Sequence, residues 1–314
     1  MVIKLENPFK YSNNNKRYYT ADYYYKNKYK SKTMKVTLDA HFSCPNRDGK
    51  ISTGGCSYCS ENGSAANIIP TSLSLEEQFE HVKNLLSLKW PEAKYIAYFQ
   101  SYSNTYGTME KIKTTYDPFV KRSDIVAIDI ATRPDCFSKE IYDYLENINK
   151  EKELYIELGL QTSNDNTAAH FNRGYEYKVF ENTVKELHKR NIKVIVHLIN
   201  GLPNETEEDM LQTIKDINKL PIHGIKFHML GIMKHTLYEK EDFPLLEQDE
   251  YLNILVKQLE ILKEDIVVYR ICSDPDKDSL IRPLWLNKKK AVHNNLDKLL
   301  SSLNTYQGRL NVHK

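Results

Sequence analysis

The sequence contains three similar apolar stretches: IVAIDI at residues 125–130, LYIELGL at 154–160 and IKVIVHLI at 192–199. Each is rich in β-branched or other apolar residues and is followed by a stretch with helical periodicity, so each predicts a strand joined to a helix. The same pattern continues on both sides, where strands are predicted at 34–39, 95–100 and 222–230. Six strand–helix units predict a parallel α/β sheet whose strands are buried on both faces.

The helices between these strands carry their own start signals. Ser74, Ser138 and Thr206 each stand just before a helical stretch, and Glu77 follows Ser74 in the pattern of a capping box. Helices are predicted at 75–88, 108–122, 139–149, 177–190 and 207–219. The alternation fits a doubly wound sheet or a barrel. The first strand is not followed by a G-x-G-x-x-G turn, which counts against a dinucleotide-binding fold.

Three regions of the chain differ in pattern. Residues 1–33 form a basic, tyrosine-rich N-terminal arm, and residues 34–231 hold the strand–helix units. After residue 231 the pattern changes to a helix at 248–264, a strand at 265–271 and a helix at 288–303. These elements predict a C-terminal extension, residues 232–314, that packs on the preceding α/β body.

The composition is that of an ordinary globular protein. Of 314 residues, 40% are apolar and 27% are charged, which excludes wholesale disorder and a collagen-like chain. No apolar run approaches the roughly 18 residues of a membrane helix, and the N-terminus lacks the apolar core of a secretory signal. We therefore expect a cytoplasmic protein with no membrane partner. An odd set of five cysteines favours metal or redox chemistry over disulfides.

Positive charge is concentrated at the two ends of the chain. Residues 1–35 carry a net charge of +7 and residues 282–314 carry +6, which leaves −11 for the middle. Basic ends favour a polyanionic partner. The arm also carries seven tyrosines: Tyr11, Tyr18, Tyr19, Tyr23, Tyr24, Tyr25 and Tyr29. Cations interleaved with rings suit looped nucleic acid, but a solvated tail whose tyrosines pack on the body is an equal alternative.

Three cysteines lie in one long loop after the first strand, in HFSCPNRDGKISTGGCSYCSENG, residues 41–63. Cys44, Cys56 and Cys59 can converge on one metal centre, and no fourth protein ligand is obvious. His41 would complete a zinc site, which normally has four ligands. A [4Fe–4S] cluster held by only three thiolates would keep one iron open, as catalysis requires. Cys136 and Cys272 fit ordinary buried thiols.

The ordered motifs of the chain resemble those of one enzyme family. CPNRDG, GGCSYC, YFQSYSNTYG, ATRPDC, ELGLQTS, NRGY, GLPNET and GIKFHML occur in the order of the radical S-adenosylmethionine (SAM) enzymes of the YhcC/YtqA type, which are related to the radical SAM domain of the Elongator acetyltransferase subunit. The eleven-residue gap between the first two cysteines matches this branch. The usual GLPGE reads GLPNE here, and the acetyltransferase domain is absent, so acetyl transfer is not carried over.

The resemblance implies a fold, cofactors and site residues. The fold is a partial (β/α)6 TIM-type barrel with a C-terminal α/β extension. Cys44, Cys56 and Cys59 would hold a [4Fe–4S] cluster whose open iron binds SAM, which is then cleaved to a 5′-deoxyadenosyl radical. Residues matching cofactor contacts of the family are Tyr58, Gln100, Glu157, Gln161, Arg173 and His197. All of these except Tyr58 have a structural alternative: strand-end caps for the glutamines, a pair with Glu176 for Arg173, and burial for Glu157 and His197.

The same resemblance implies a substrate. The branch is associated with trimming a carboxymethylaminomethyl group to aminomethyl at C5 of the tRNA wobble uridine, with flavodoxin or ferredoxin as electron donor. One alternative is a radical SAM enzyme that acts on a small molecule. Another is a zinc-stabilised, non-catalytic nucleic-acid-binding protein. His223, His228 and His235 show no ligand spacing, so a second metal site is not expected.

Overall fold

The structure is a computed structural model that describes residues 7–60 and 72–311. Its main sheet has seven parallel strands in the order β1-β2-β3-β4-β5-β6-β8. They are β1 (Thr33–Leu38), β2 (Lys94–Phe99), β3 (Ile125–Thr132), β4 (Glu153–Gln161), β5 (Lys193–Asn200), β6 (Gly224–Met229) and β8 (Val267–Arg270). A separate antiparallel pair joins β7 (Ile232–Met233) to β9 (Leu280–Arg282).

The helices cover the outer face of this sheet and complete the C-terminal extension. They are α1 (Ala21–Tyr29), α2 (Leu75–Ser87), α3 (Met109–Val120), α4 (Lys139–Glu151), α5 (Asp165–His170), α6 (Tyr177–Lys189), α7 (Glu207–Ile217), α8 (Gln248–Ile261) and α9 (Lys289–Ser302), with 3-10 turns at Leu237–Lys240 and Leu284–Lys288. The predicted caps are confirmed: Ser74 and Thr206 make capping boxes, and Ser138 accepts from the Ile141 amide. Within the described part of the chain, no helix has the length and apolar character needed to cross a bilayer.

The sheet curls into an open, partial barrel of the radical SAM type, as expected from the sequence. Its strands follow one another in chain order, which distinguishes it from a doubly wound sheet, where the order reverses. The seventh strand was expected in the extension, but β8 pairs with β6 and continues the barrel sheet. The sequence shows a strand there but not its partner, since pairing is decided by the whole fold.

The N-terminal arm contains a helix that the sequence analysis missed, and it closes one end of the barrel. Tyr25 on α1 is 5% exposed and packs with Ile96, Tyr155 and Ile195 inside the barrel. The neighbouring Lys28 pairs with Glu153, the first residue of β4, at 2.7 Å. Tyr25 therefore packs on the body of the protein, at the N-terminal ends of the strands, which is the second of the two alternatives for the arm.

We expect Tyr25→Ala to lower the free energy of unfolding by about 3 kcal/mol, because it empties the aromatic cluster beneath the barrel. The ring of Tyr25 lies 5.8 Å from that of Tyr269 and 6.3 Å from that of Tyr155. Tyr25→Phe keeps the ring and is the matched control, with a change within about 1 kcal/mol. Urea unfolding measures both. Equal losses of unfolding free energy in the two variants would show that the aromatic ring does not account for the stabilisation.

Candidate active site

The three thiols of the cysteine loop lie at the carboxyl ends of the strands, between β1 and α2. Burial, together with the neighbouring thiols of Cys56 and Cys44, raises the pKa of Cys59 to about 12. Burial likewise raises the pKa of Cys56, with Cys44 again adding to the effect. The Arg47 amide donates to the Cys44 carbonyl at 2.8 Å, and the Cys59 amide donates to the Cys56 carbonyl at 2.9 Å, so hydrogen bonds within one loop hold the three cysteines. The carboxyl ends of barrel strands are where such folds place their active sites.

The arrangement of these donors differs from that of a mononuclear site. Within residues 7–60 and 72–311, no three Cys, His, Asp or Glu side chains converge as one metal ion requires. His41, the proposed fourth zinc ligand, has a 63% exposed side chain whose Nδ1 lies 3.9 Å from Asp39 Oδ1. Thiolates of a [4Fe–4S] cube each bind a different iron, so they stand further apart than the ligands of one ion. Three soft thiol donors suit such a cluster.

The CPNRDG motif holds the cysteine loop in shape. Asn46 Nδ2 lies 3.6 Å from Cys56 Sγ and donates to the Asn172 carbonyl at 2.5 Å. The Arg47 guanidinium donates to the carbonyls of Cys59 at 3.2 Å and Ser60 at 2.6 Å. Gly55 has a φ of +84°, and a Cβ there would stand 2.8 Å from Arg47 Nε. The motif therefore supports the thiols from behind, as outer groups do at metal sites.

The NRGY motif supports the same loop from the other side. Asn172 Nδ2 donates to Ser52 Oγ at 2.9 Å and to the Gly55 carbonyl at 3.1 Å. Gly174 has a φ of +81°, and a Cβ there would meet Asn46 Oδ1 at 3.0 Å. Tyr58, the aromatic beside the last cysteine, packs edge-on against Phe171 at 5.4 Å. Two motifs that are distant in sequence thus fix one loop.

Arg173 is buried and bonds within the chain. It is 1% exposed, and its guanidinium donates to the carbonyls of Leu160 and Thr162, both at 2.7 Å. It also donates to Asp165 Oδ1 at 2.8 Å, so its ion pair is with Asp165 and not with Glu176. Through these hydrogen bonds Arg173 fixes the conformation of the turn after β4. This geometry does not support its predicted contact with a SAM carboxylate.

Gln100 and Gln161 stand at the strand ends with their amides available. Among the described residues, neither side chain makes a hydrogen bond, and both are half-buried. Gln161 has a φ of +64°, and Ser101 and Tyr102 beside Gln100 have φ values of +77° and +59°. Such backbone strain in non-glycine residues clusters at functional sites. The predicted cofactor contacts of the two glutamines stay predictions that this geometry permits.

Glu157 and His197 belong to a layer of charged side chains that crosses the barrel interior. Glu157 Oε2 accepts from Tyr98 OH and from His197 Nε2, both at 2.7 Å, and from Lys226 Nζ at 2.5 Å. Its other oxygen accepts from Lys35 Nζ at 2.7 Å. With four partners and 1% exposure, the Glu157 carboxylate is occupied inside the chain. Its expected contact with the SAM ribose remains a prediction that this geometry does not favour.

Charges in this layer are strongly coupled. Although burial opposes it, Lys226 and Lys35 hold the pKa of Glu157 well below its usual range. Burial and the charge of Glu157 raise the pKa of Asp129 to about 7. Burial lowers the pKa of Lys226 to about 7, although Glu157 opposes the shift. Burial and the charge of Lys226 lower the pKa of His197 to about 4, so this ring is neutral near pH 7.

Most residues of this charged layer were not predicted from the sequence. Lys35, Tyr98, Asp129 and Lys226 were not singled out, although each is a polar residue within a largely apolar predicted strand. Buried charges are rarely unpaired, so the charges of Lys35, Asp129, Glu157 and Lys226, on β1, β3, β4 and β6, predict each other as partners. Of the remaining cysteines, Cys136 is 7% exposed at the strand ends, whereas Cys272 lies in the main core.

Glu205, in the GLPNET motif, gives a pH-dependent prediction. Its side chain bonds to Thr162, and burial raises its pKa to about 7, above the unfolded value of about 4.3. The unfolded chain therefore releases this proton at lower pH, and Glu205 lowers native stability as pH rises from about 4 to 7. We expect Glu205→Gln to be more stable than wild type at pH 8, by at most about 3 kcal/mol, and equal to it at pH 4. Urea unfolding at both pH values is the measurement; an identical difference at both would contradict it.

Two family models match the chain. One, the radical SAM superfamily, matches residues 48–217, and the other, the radical SAM C-terminal domain, matches residues 222–302. The uncharacterized protein YtqA of Bacillus subtilis is 39% identical over 307 residues, covering 96% of this chain and 95% of that protein. Protein YhcC of Escherichia coli K12 is 32% identical over 279 residues, covering 87% and 89%.

Solved structures show the same fold at low sequence identity. The Elp3 protein of the archaeon Methanocaldococcus infernus superposes with a TM-score of 0.62 at 15% identity, over 86% of this chain and 63% of that one. This chain therefore spans less than two thirds of that relative. Methylornithine synthase superposes with a TM-score of 0.50 at 12% identity, over 89% and 84%. At such identities the likeness concerns the fold alone.

Proposed function

The chain belongs to the radical SAM superfamily. We propose that it is an enzyme that uses a [4Fe–4S] cluster and SAM. Its proposed reaction converts carboxymethylaminomethyl to aminomethyl at C5 of the tRNA wobble uridine. The observation that carries the enzyme assignment is the three-cysteine loop at the carboxyl end of β1, in which Arg47 donates hydrogen bonds to the carbonyls of both Cys44 and Cys59. Superfamily membership implies both cofactors. The wobble-uridine substrate rests on the ordered motifs shared with the Elongator-related branch.

The family resemblance identifies the residues that would hold the cofactors. Cys44, Cys56 and Cys59 would bind the cluster, and the amides of Gln100 and Gln161 would hydrogen-bond to the polar part of SAM. When bound, the two cofactors supply one-electron chemistry that removes a hydrogen atom from substrate. Asn46 and Arg47 keep the thiol loop in place throughout. We propose flavodoxin or ferredoxin as the source of the electron.

Basic residues near the strand ends support a polyanionic substrate. Asp274, four residues beyond β8, pairs with Lys289, so the start of α9 lies at the edge where the barrel strands end. Lys288 and Lys290 flank it, are exposed, and make no ion pair with any residue that the structure describes. Unpaired surface lysines beside an active site suit the phosphate backbone of RNA. The lysines of the arm support this less, because several are paired with carboxylates.

Two experiments test the proposal. Wobble-uridine tRNA from a deletion strain should accumulate the carboxymethylaminomethyl form, and normal tRNA would reject the assignment. Reconstituted protein with SAM and dithionite should form 5′-deoxyadenosine faster when that tRNA is added. Turnover independent of RNA, with tRNA affinity insensitive to salt, would favour a small-molecule substrate. A colourless preparation with stoichiometric zinc and no iron would favour the non-catalytic alternative.

A further inference from the structure

An arginine of the last barrel strand is turned into the barrel interior by an irregularity in strand pairing. The register between β6 and β8 shifts between Ile225 and Lys226, so that Lys226 pairs with Arg270 and Tyr269 is the extra residue. Paired residues of parallel strands point to the same face, and Lys226 points inward to Glu157. Arg270 therefore also points inward. Bulges near active sites commonly redirect a side chain in this way.

This arginine has no counter-ion in the part of the chain that the structure describes. Its side chain makes no hydrogen bond and no ion pair there, although it is half-buried. Neither carboxylate of the charged layer bonds to Arg270: Glu157 accepts from four donors, and Asp129 Oδ2 accepts from Lys35, whereas Asp129 Oδ1 has no partner among the described residues. A half-buried guanidinium without an anion is unfavourable unless something else supplies the negative charge.

A histidine beside Arg270 is also without a partner. His228 follows Lys226 by two residues on β6, so it lies on the same face, one layer closer to the cysteine loop. Its Nε2 is inaccessible to solvent and has no hydrogen-bond partner among the described residues. Its ring stacks on that of His197 at 5.3 Å. Burial, followed by the charge of Arg270, holds the pKa of His228 well below its usual range.

We propose that Arg270 and His228 form a binding subsite for the carboxylate of the substrate, between the charged layer and the thiol loop. Arg270 has the planar fork that suits a carboxylate, and the neighbouring imidazole Nε2 can supply one more hydrogen bond. Lys226 adds positive potential from below. An anion placed there would neutralise the excess positive charge of the barrel interior.

The assignment to a substrate rests on the proposed function. The carboxymethylaminomethyl group ends in a carboxylate, and the aminomethyl product has none. A subsite that binds this carboxylate would therefore favour substrate over product. It would also hold the methylene beside the carboxylate at a fixed depth in the barrel. SAM also carries a carboxylate, so the experiment separates the two sources.

The main test uses Arg270→Gln with Arg309→Gln as control, since Arg309 is exposed on the C-terminal segment. Binding is measured for tRNA with the carboxymethylaminomethyl group and for the same tRNA with that group as its methyl ester. Wild type and Arg309→Gln should prefer the carboxylate at least about tenfold, and Arg270→Gln should show a ratio near 1. The affinity of Arg270→Gln for SAM should stay within about twofold of wild type. A matching loss of SAM affinity would assign the carboxylate to SAM and overturn the substrate subsite.

A second probe keeps the proposal testable if the tRNA assignment fails. N-methylglycine has the end group of the modification, and N-methylglycinamide is its neutral counterpart. Wild type should bind the first and not the second, and Arg270→Gln should bind neither. If wild type ignores every tRNA but binds N-methylglycine through Arg270, the wobble-uridine function fails and the carboxylate subsite stands. Unchanged N-methylglycine binding by Arg270→Gln overturns the subsite.

Protein stability distinguishes this role from a structural one. Because Arg270 has no partner in the described chain, Arg270→Gln should unfold at a urea midpoint no lower than that of wild type. Positions retained for ligand binding often limit stability rather than support it. A lower midpoint would show that Arg270 holds the fold and would overturn the proposal.

Discussion

Cys56→Ser protein, reconstituted anaerobically with iron and sulfide, is expected to hold little iron and to form 5′-deoxyadenosine at least about 100-fold more slowly than wild type. The physical reason is that a serine oxygen is a poor substitute for the soft thiolate that iron–sulfur clusters require. Even groups that only support metal ligands often change affinity or activity by about 10- to 100-fold, so loss of a ligand should exceed that range. Iron content and the visible absorption of the cluster provide the measurement.

The other two cysteines are matched controls for this experiment. Cys272→Ala removes a thiol from the core, where it is fully buried away from the loop, and should keep the iron. Cys136→Ala removes a thiol at the strand ends, where Cys44 is among the groups that raise its pKa. Retention of iron in both variants, with loss in Cys44→Ser, Cys56→Ser and Cys59→Ser, supports a three-thiolate site. Loss in Cys136→Ala would identify a fourth ligand and remove the open iron.

The periodic parts of the fold could be predicted from the sequence because they depend on local pattern. Strands β2 to β5 follow apolar runs, and helices such as α2, α4 and α7 begin at a side-chain cap, so the local sequence marks where these elements lie. Helix α1 could not be recognised in the same way. Its sequence, ADYYYKNKY, alternates rings with lysines and shows no apolar stripe, and its stability depends on the barrel end that it covers.

The candidate site shows the same division. The three cysteines could be found from spacing alone, whereas the support that they receive from Asn172 and Gly174 depends on a contact between segments more than 110 residues apart. Asn204 is an instructive departure. The family motif has glycine where this chain has asparagine, and the structure gives Asn204 a φ of +66°. Asparagine is among the few residues that accept this left-handed conformation, so the substitution preserves the turn.

Glu157→Gln is expected to lower the free energy of unfolding by about 3–5 kcal/mol. The substitution keeps the volume of the side chain, so the loss reports the charge and not a cavity. It leaves Lys226 inside the barrel without its carboxylate partner, and it leaves Lys35 with Asp129 alone. Urea unfolding is the measurement. Glu207→Gln is the control, because the Glu207–Lys257 pair is exposed and should contribute less than about 1 kcal/mol.

A second substitution separates charge from packing in this layer. Removing one member of a buried ion pair is costly because the other is left unpaired, whereas replacing both members can be nearly neutral. Lys226→Met in the Glu157→Gln background should therefore recover part of the lost stability, with a coupling energy of about 1–3 kcal/mol. Strictly additive losses would mean that Glu157 and Lys226 stabilise the barrel independently. If the double variant regains stability but stays inactive, the charged layer is needed for the Arg270–His228 subsite, because Lys226 also contributes to the positive potential there.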